Sequence, residues 1–172
     1  AQQNVGIGTI TPHPSSVLDL EAKNKGFLLP RMTTIERNNI SAPANGLLVY
    51  DVDCAELWYY YIHKHPQATV ADSGWLPITN NRIATISSNY TASLCDYTIL
   101  VNALTSAVQV TLPTAIGNKG KEFVIKVIGY ANPVTVTSAQ FIDGVATYSF
   151  SANMQSVTLK SNGQNWWIIH KD

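Results

Sequence analysis

Apolar and polar positions alternate with a period of two through most of this chain, the pattern of strands that bury one face. From Asn45-Gly46 onward the pattern turns to β, and it alternates more regularly after residue 82. Leu47-Leu48-Val49-Tyr50 and Glu56-Leu57-Trp58-Tyr59-Tyr60-Tyr61 read as strands flanking a hairpin turn at Asp51-Val52-Asp53, and Gly74-Trp75-Leu76-Pro77-Ile78 closes a first small unit. The polar cluster Asn80-Asn81-Arg82 marks a boundary. Strands are then expected over 98–101, 107–112, 122–128, 134–137, 146–150, 156–159 and 166–169, separated by turns such as Gly117-Asn118-Lys119-Gly120, Ala131-Asn132-Pro133, Asp143-Gly144 and Ser161-Asn162-Gly163. Short strands at this spacing predict an antiparallel β-sandwich or barrel-like unit over 83–172.

The first 46 residues are less regular. Asn4-Val5-Gly6-Ile7-Gly8-Thr9-Ile10-Thr11 alternates apolar residues with Gly or Thr, which predicts a short extended arm ended by Pro12 and Pro14. Ser16-Val17-Leu18-Asp19-Leu20 is a second short strand, and Gly26-Phe27-Leu28-Leu29-Pro30 an apolar run between turn formers. Thr33-Thr34-Ile35-Glu36 has the form of a capping box, so one short helix is expected over about 34–40, stopped before Pro43. The fold class is therefore mainly β: an extended arm and a small β-hairpin unit with one short helix over 1–82, followed by the larger unit.

Composition narrows the function more than the fold. Eleven basic and eleven acidic residues give zero formal charge, and only 13% of the 172 residues are charged. No basic stripe can be concentrated against phosphates, so nucleic acid is not the expected partner. Apolar stretches all break before the roughly 20 residues that span a bilayer, so membrane insertion by a helix is not expected. Ser, Thr and Asn supply 43 residues of neutral polarity, and a chain without net charge does little to repel its own copies. The chain opens at Ala1-Gln2-Gln3 without an initiator Met, as a processed, exported chain does. Cys54 and Cys95, an even count without CxxC spacing, are a candidate disulfide in an oxidising compartment, with two unrelated buried thiols as the other reading.

Candidate chemistry is thin. His63-x-His65 near Cys54 offers zinc-type ligands, but the thiol is more simply used in a disulfide, and Lys64 and Pro66 mark an exposed loop. Asp51-x-Asp53 with Glu56 lacks the extended loop of a calcium-binding hand and reads as a solvated turn. Gly6-x-Gly8 lacks the third glycine and following helix of a phosphate cradle, so its glycines are assigned to close backbone packing. Thirteen serines and four histidines include no G-x-S-x-G elbow. No catalytic, cofactor-binding or metal-binding residue is assigned, and the chain is read as a non-enzyme. Trp58-Tyr59-Tyr60-Tyr61 carries more weight: Trp58 and Tyr60 share one strand face and Tyr59 and Tyr61 the other. One pair serves as core, leaving the other for a neighbouring module, a subunit interface or a sugar ring. By the same alternation, one of Trp166 and Trp167 plugs the larger unit and the other lies at an interface.

Two stretches carry a resemblance. Asn4-Val5-Gly6-Ile7-Gly8-Thr9, Val17-Leu18-Asp19-Leu20, Asn24-Lys25-Gly26-Phe27-Leu28-Leu29-Pro30-Arg31-Met32-Thr33-Thr34, Arg37 and Pro43-Ala44-Asn45-Gly46-Leu47-Leu48-Val49-Tyr50-Asp51 resemble the N-terminal region of many exported proteins of the Bacteroidetes group. Those proteins are in turn similar to phage tail fibres. Val110-Thr111-Leu112-Pro113, Gly117-Asn118-Lys119-Gly120, Ile142-Asp143-Gly144, Gln155-Ser156-Val157-Thr158-Leu159 and Asn165-Trp166-Trp167-Ile168-Ile169 are similar to β-rich modules near the ends of tail fibres. The resemblance implies a non-enzymatic module of adhesion or architecture, often trimeric. The leading expectation is an extracellular structural protein that self-assembles as a fibre or filament subunit, residues 1–12 adding as a strand to a neighbour through Val5, Ile7 and Ile10. Docking of that arm on its own chain is the competing outcome. The alternative function is a trimeric tail-fibre-like head that binds surface glycans through exposed members of Trp58 to Tyr61. Expected partners are copies of the chain, as homopolymer or homotrimer, with surface glycans in the second case.

Overall fold

The computed structural model describes residues 4–63, 72–79 and 82–172. Three sheets follow one another along the chain. The first is a two-stranded ribbon in which β1 (Val5–Ile7) runs parallel to β2 (Leu18–Leu20), Val5 facing Leu18 and Ile7 facing Leu20. The second contains β3 (Arg31–Met32), β4 (Leu48–Asp51), β5 (Glu56–His63) and β6 (Asp72–Pro77) in that order. The helix α1 (Thr34–Asn38) fills the connection from β3 to β4. Its N-terminus is set by the expected capping box: Thr33 Oγ1 accepts from the Glu36 amide and the Glu36 carboxylate accepts from the Thr33 amide.

The third sheet comprises β7 (Ile83–Ile86), β8 (Tyr90–Thr91), β9 (Thr98–Ala103), β10 (Val108–Thr111), β11 (Glu122–Tyr130), β12 (Val134–Ile142), β13 (Val145–Ser149), β14 (Ser156–Ser161) and β15 (Trp166–Lys171). It curls into a nearly closed barrel in the order β7-β9-β11-β14-β15-β12-β10-β8, with β13 beside β12. The mainly β class, the barrel-like unit, the small sheet and the short helix are as the sequence predicts.

Strand direction within the barrel differs from the antiparallel expectation. The chain shuttles between two halves, so that β7, β9 and β11 lie parallel on one side and β8, β10 and β12 lie parallel on the other. A turn such as Ala131-Asn132-Pro133 is a corner between halves, held by the Asn132 backbone and side-chain amides donating to the Ala103 carbonyl. The turn at Asp143 and Gly144 does make a hairpin: both residues have positive φ, 47° and 83°, and β12 and β13 pair antiparallel around them. Antiparallel pairing also joins β11 to β14 and β14 to β15.

Alternation places Phe123, Ile125 and Val127 of β11 in the barrel interior with Ile99, Val101, Val110, Val136, Val157 and Leu159. Trp166 plugs this core, its ring 5.4 Å from that of Phe123 and its Nε1 donating to the Pro113 carbonyl. Trp167, one residue on, is exposed, as the alternation requires. The small sheet has a far smaller core of Val49, Cys54 and Trp58, packed by Met32, Ile40, Trp75 and Cys95. A disulfide between Cys54 and Cys95 ties it to the loop between β8 and β9. In the expected unit boundary at 80–82, Asn80 and Asn81 lie outside the described residues, as do Ala1 to Gln3.

Candidate subunit interface

The N-terminal segment forms secondary structure without a core. Among the described residues before Arg37, no side chain is buried. In the ribbon, Val5 and Ile7 are 53% and 60% exposed, and Ile10 beyond it is 99% exposed. Val17, Leu18 and Leu20 on the partner strand, and Phe27 and Leu28 after it, are exposed as well. A groove of about 680 Å³ is lined by residues that include Ile7, Gly8, Leu20, Phe27 and Leu28. The ribbon is nonetheless specified. The Val5 amide donates to the Val17 carbonyl and the Glu21 amide to the Ile7 carbonyl, while the His13 amide donates to Asp19 Oδ2. Gly8 takes φ +86°, and a Cβ there would collide with the Glu21 carbonyl, so the glycines serve close backbone approach as expected.

The arm residues Val5 and Ile7 therefore hydrogen-bond to their own chain, the outcome set against strand donation, while their side chains and the ribbon's outer edges remain unpartnered among the described residues. A parallel pair of three-residue strands open on both faces is not a self-sufficient structure in water. Each of these apolar side chains offers about 1 kcal/mol or more if its exposed part is covered.

The small sheet is organised by a residue that spacing alone does not reveal. Arg37, 1% exposed, lies over Trp58 with Cζ 3.6 Å from the ring centre and 5.8 Å from that of Trp75. Its Nη1 is 3.2 Å from Asp51 Oδ2, and burial pulls the guanidinium below its usual pKa against the opposing pull of Asp51. Asp51 is fully buried: it also accepts from Thr34 Oγ1 and from the amides of Asp53 and Cys54. The solvated-turn reading of Asp51-x-Asp53 is thus corrected for Asp51, whose buried carboxylate satisfies the β4–β5 turn and the Thr34 hydroxyl, and holds for Asp53, which is exposed in that turn. Asp53 Oδ2 accepts from the Thr34 amide. Of the zinc-type set, Cys54 is in the disulfide and His65 lies outside the described residues.

The aromatic run divides between two faces. Trp58 is core, and Tyr60 beside it meets Trp75 edge to face at 5.2 Å. Tyr59 and Tyr61 are half-buried on the other face, where Tyr61 and Leu76 approach Gly120 of the barrel. Lys121, next in sequence, is buried, donates to the Asp96 carbonyl, stands 4.6 Å from the Phe123 ring centre and has its pKa lowered to about 8 by desolvation.

A family model described as the phage tail-like trimerisation region matches residues 6–92, half of the chain. The chain belongs to that family. Comparison with curated proteins gives no match. The trimerisation region spans the ribbon from Gly6 on, the small sheet and the disulfide's first cysteine, and it ends just after β8 of the barrel. Ile7 and Ile10 of the arm, the whole of Trp58 to Tyr61, and every exposed apolar residue of β2 and the Phe27-Leu28 run fall within it, while Val5 immediately precedes it. Membership supports self-association and a structural, tail-fibre-like module. Among the described residues, no helix is long and apolar enough to cross a membrane.

Proposed function

We propose that the chain is a non-enzymatic building block of an extracellular fibre, acting as a homotrimer whose three copies meet along the N-terminal segment 4–30. The observation that carries this reading is the run of exposed apolar side chains on a hydrogen-bonded ribbon that has no core of its own, inside a region of the trimerisation family. Three such ribbons brought together cover one another's faces and outer edges, so assembly proceeds by adding preformed ribbons and not by donating a lone strand. The Cys54–Cys95 disulfide supports an oxidising, extracellular location.

Negative-stain electron microscopy with light scattering on the full chain tests the proposal. Discrete particles of three-chain mass are expected, alone or as units within longer fibres. A chain that stays monomeric at high concentration contradicts it. A trimeric head that recognises surface sugars is the second reading, favoured by the aromatic and cationic cavity described next.

A further inference from the structure

Where the small sheet meets the barrel, the two enclose a cavity of about 310 Å³. Arg37, Trp58, Tyr60 and Trp75 line it from the small unit, and Asn118 and Lys121 from the barrel. Its electrostatics are one-sided. Among the described residues, two cationic side chains contribute to the lining and no carboxylate does. The acids that act on these cations, Asp51 on Arg37 and Asp96, Glu56 and Glu122 on Lys121, all sit outside the lining. Furthermore, Arg37 Nε and Trp58 Nε1 are buried donors without a hydrogen-bond acceptor, while Arg37 Nη1 is held by Asp51. Buried donors left unpaired are costly, so a cavity whose lining includes Arg37 and Trp58 favours a ligand rich in acceptors.

The rest of the lining narrows that ligand. Tyr60 and Trp75 meet edge to face, their planes 67° apart, and are only partly buried, which offers flat aromatic surface to C–H groups. Asn38, Ser73 and Asn118 add neutral hydrogen-bonding groups suited to hydroxyls. The volume exceeds what an inorganic anion fills and suits one small ring. We infer that this cavity binds a carboxylate-bearing sugar unit of the uronic-acid type, its carboxylate toward Arg37 and Lys121 and its ring against Tyr60 and Trp75. The inference does not rest on the trimer: solution mass reports one reading and ligand titration the other.

Calorimetric titration of the full-length chain with glucuronate, glucose, acetate and inorganic phosphate tests it. Glucuronate is expected to bind, with glucose, acetate and phosphate each at least about tenfold weaker, because none of them supplies both the charge and the ring. Lys121→Met and Tyr60→Ala should each weaken glucuronate by about tenfold, and Tyr59→Ala, on the opposite strand face, should not. Circular dichroism confirms that each variant is folded, and Asn118→Ala provides a milder lesion should Lys121→Met unfold the chain. A short oligomer of the same acid separates a polysaccharide from a free sugar by its tighter binding. Absence of glucuronate binding to the folded chain, equal binding of glucose or phosphate, or indifference to both Lys121→Met and Asn118→Ala overturns the inference.

Discussion

Strand β11 and strand β1 both place branched or aromatic apolar residues at every second position and end in opposite situations. In β11, Phe123, Ile125 and Val127 are fully buried because strands from both halves of the barrel close over them. In β1, Val5 and Ile7 stay more than half exposed on a ribbon that no other sheet covers among the described residues. The difference lies in what the rest of the chain supplies. The barrel brings nine strands to one core, whereas β1 has only Leu18–Leu20 as a strand neighbour among the described residues. Alternation therefore reports that a face will be buried, but not whether the covering surface belongs to the same chain. The small sheet lies between these extremes, with a core of a few side chains reinforced by the Arg37–Asp51 pair and the disulfide.

Substitutions should separate the regions. Trp166→Ala removes the plug of the barrel and is expected to cost about 3–5 kcal/mol in urea unfolding, whereas Phe27→Ala should leave the barrel's own transition within about 0.5 kcal/mol and lower only the tendency to associate. Equal losses from the two would remove the distinction between closed and open faces. Opening the Cys54–Cys95 bridge by a double Ala substitution should cost about 3–4 kcal/mol in the chain-entropy description. The loss should fall on the small sheet, so that Trp58 fluorescence changes before the far-ultraviolet signal of the barrel.

A third test uses Lys121. Its folded pKa of about 8 lies below the unfolded 10.5, so the unfolded chain binds more protons between those values and stability rises with pH across that window. The facing carboxylates of Asp96, Glu56 and Glu122 oppose that lowering without overcoming the desolvation. A gain on the order of 2 kcal/mol is expected from pH 7 to 10, absent in Lys121→Met. Above pH 10 the sign reverses through Tyr90, which burial and its bond to Asp96 raise to about 12: the unfolded phenol ionises first, and stability falls. The smallest effect is expected from Thr33→Ala, which removes one half of the capping box and should cost about 1 kcal/mol, confined to α1 and the small sheet.

Local rules carried the sequence reading as far as local structure goes. The expected barrel strands all appear, Thr33 and Glu36 cap the helix, and Trp166 goes in while Trp167 stays out. Strand direction was not legible, because Ala131-Asn132-Pro133 has hairpin chemistry yet turns a corner between halves, a choice made by the distant Ala103 carbonyl. Asp51 looked like a turn acid because its partner Arg37 is fourteen positions away in sequence and reaches it only once β4 lies beside α1. Lys121 and Arg37 were missed for the same reason: cations lining a cavity between two units have no spacing signature. The single available hint was Arg37 itself, a strong cation in the one short helix, beside a chain otherwise poor in charge.

The central claim is that the N-terminal ribbon is a covered surface in the working assembly. The most direct measurement is the solution mass of the wild-type chain beside an Ile7→Asp/Leu20→Asp variant, with barrel unfolding followed in both. Three-chain mass for the wild type, one-chain mass for the variant and an unchanged barrel transition are the predicted results. A variant that keeps the wild-type mass would show that copies meet elsewhere and that the exposed apolar ribbon is not their joint.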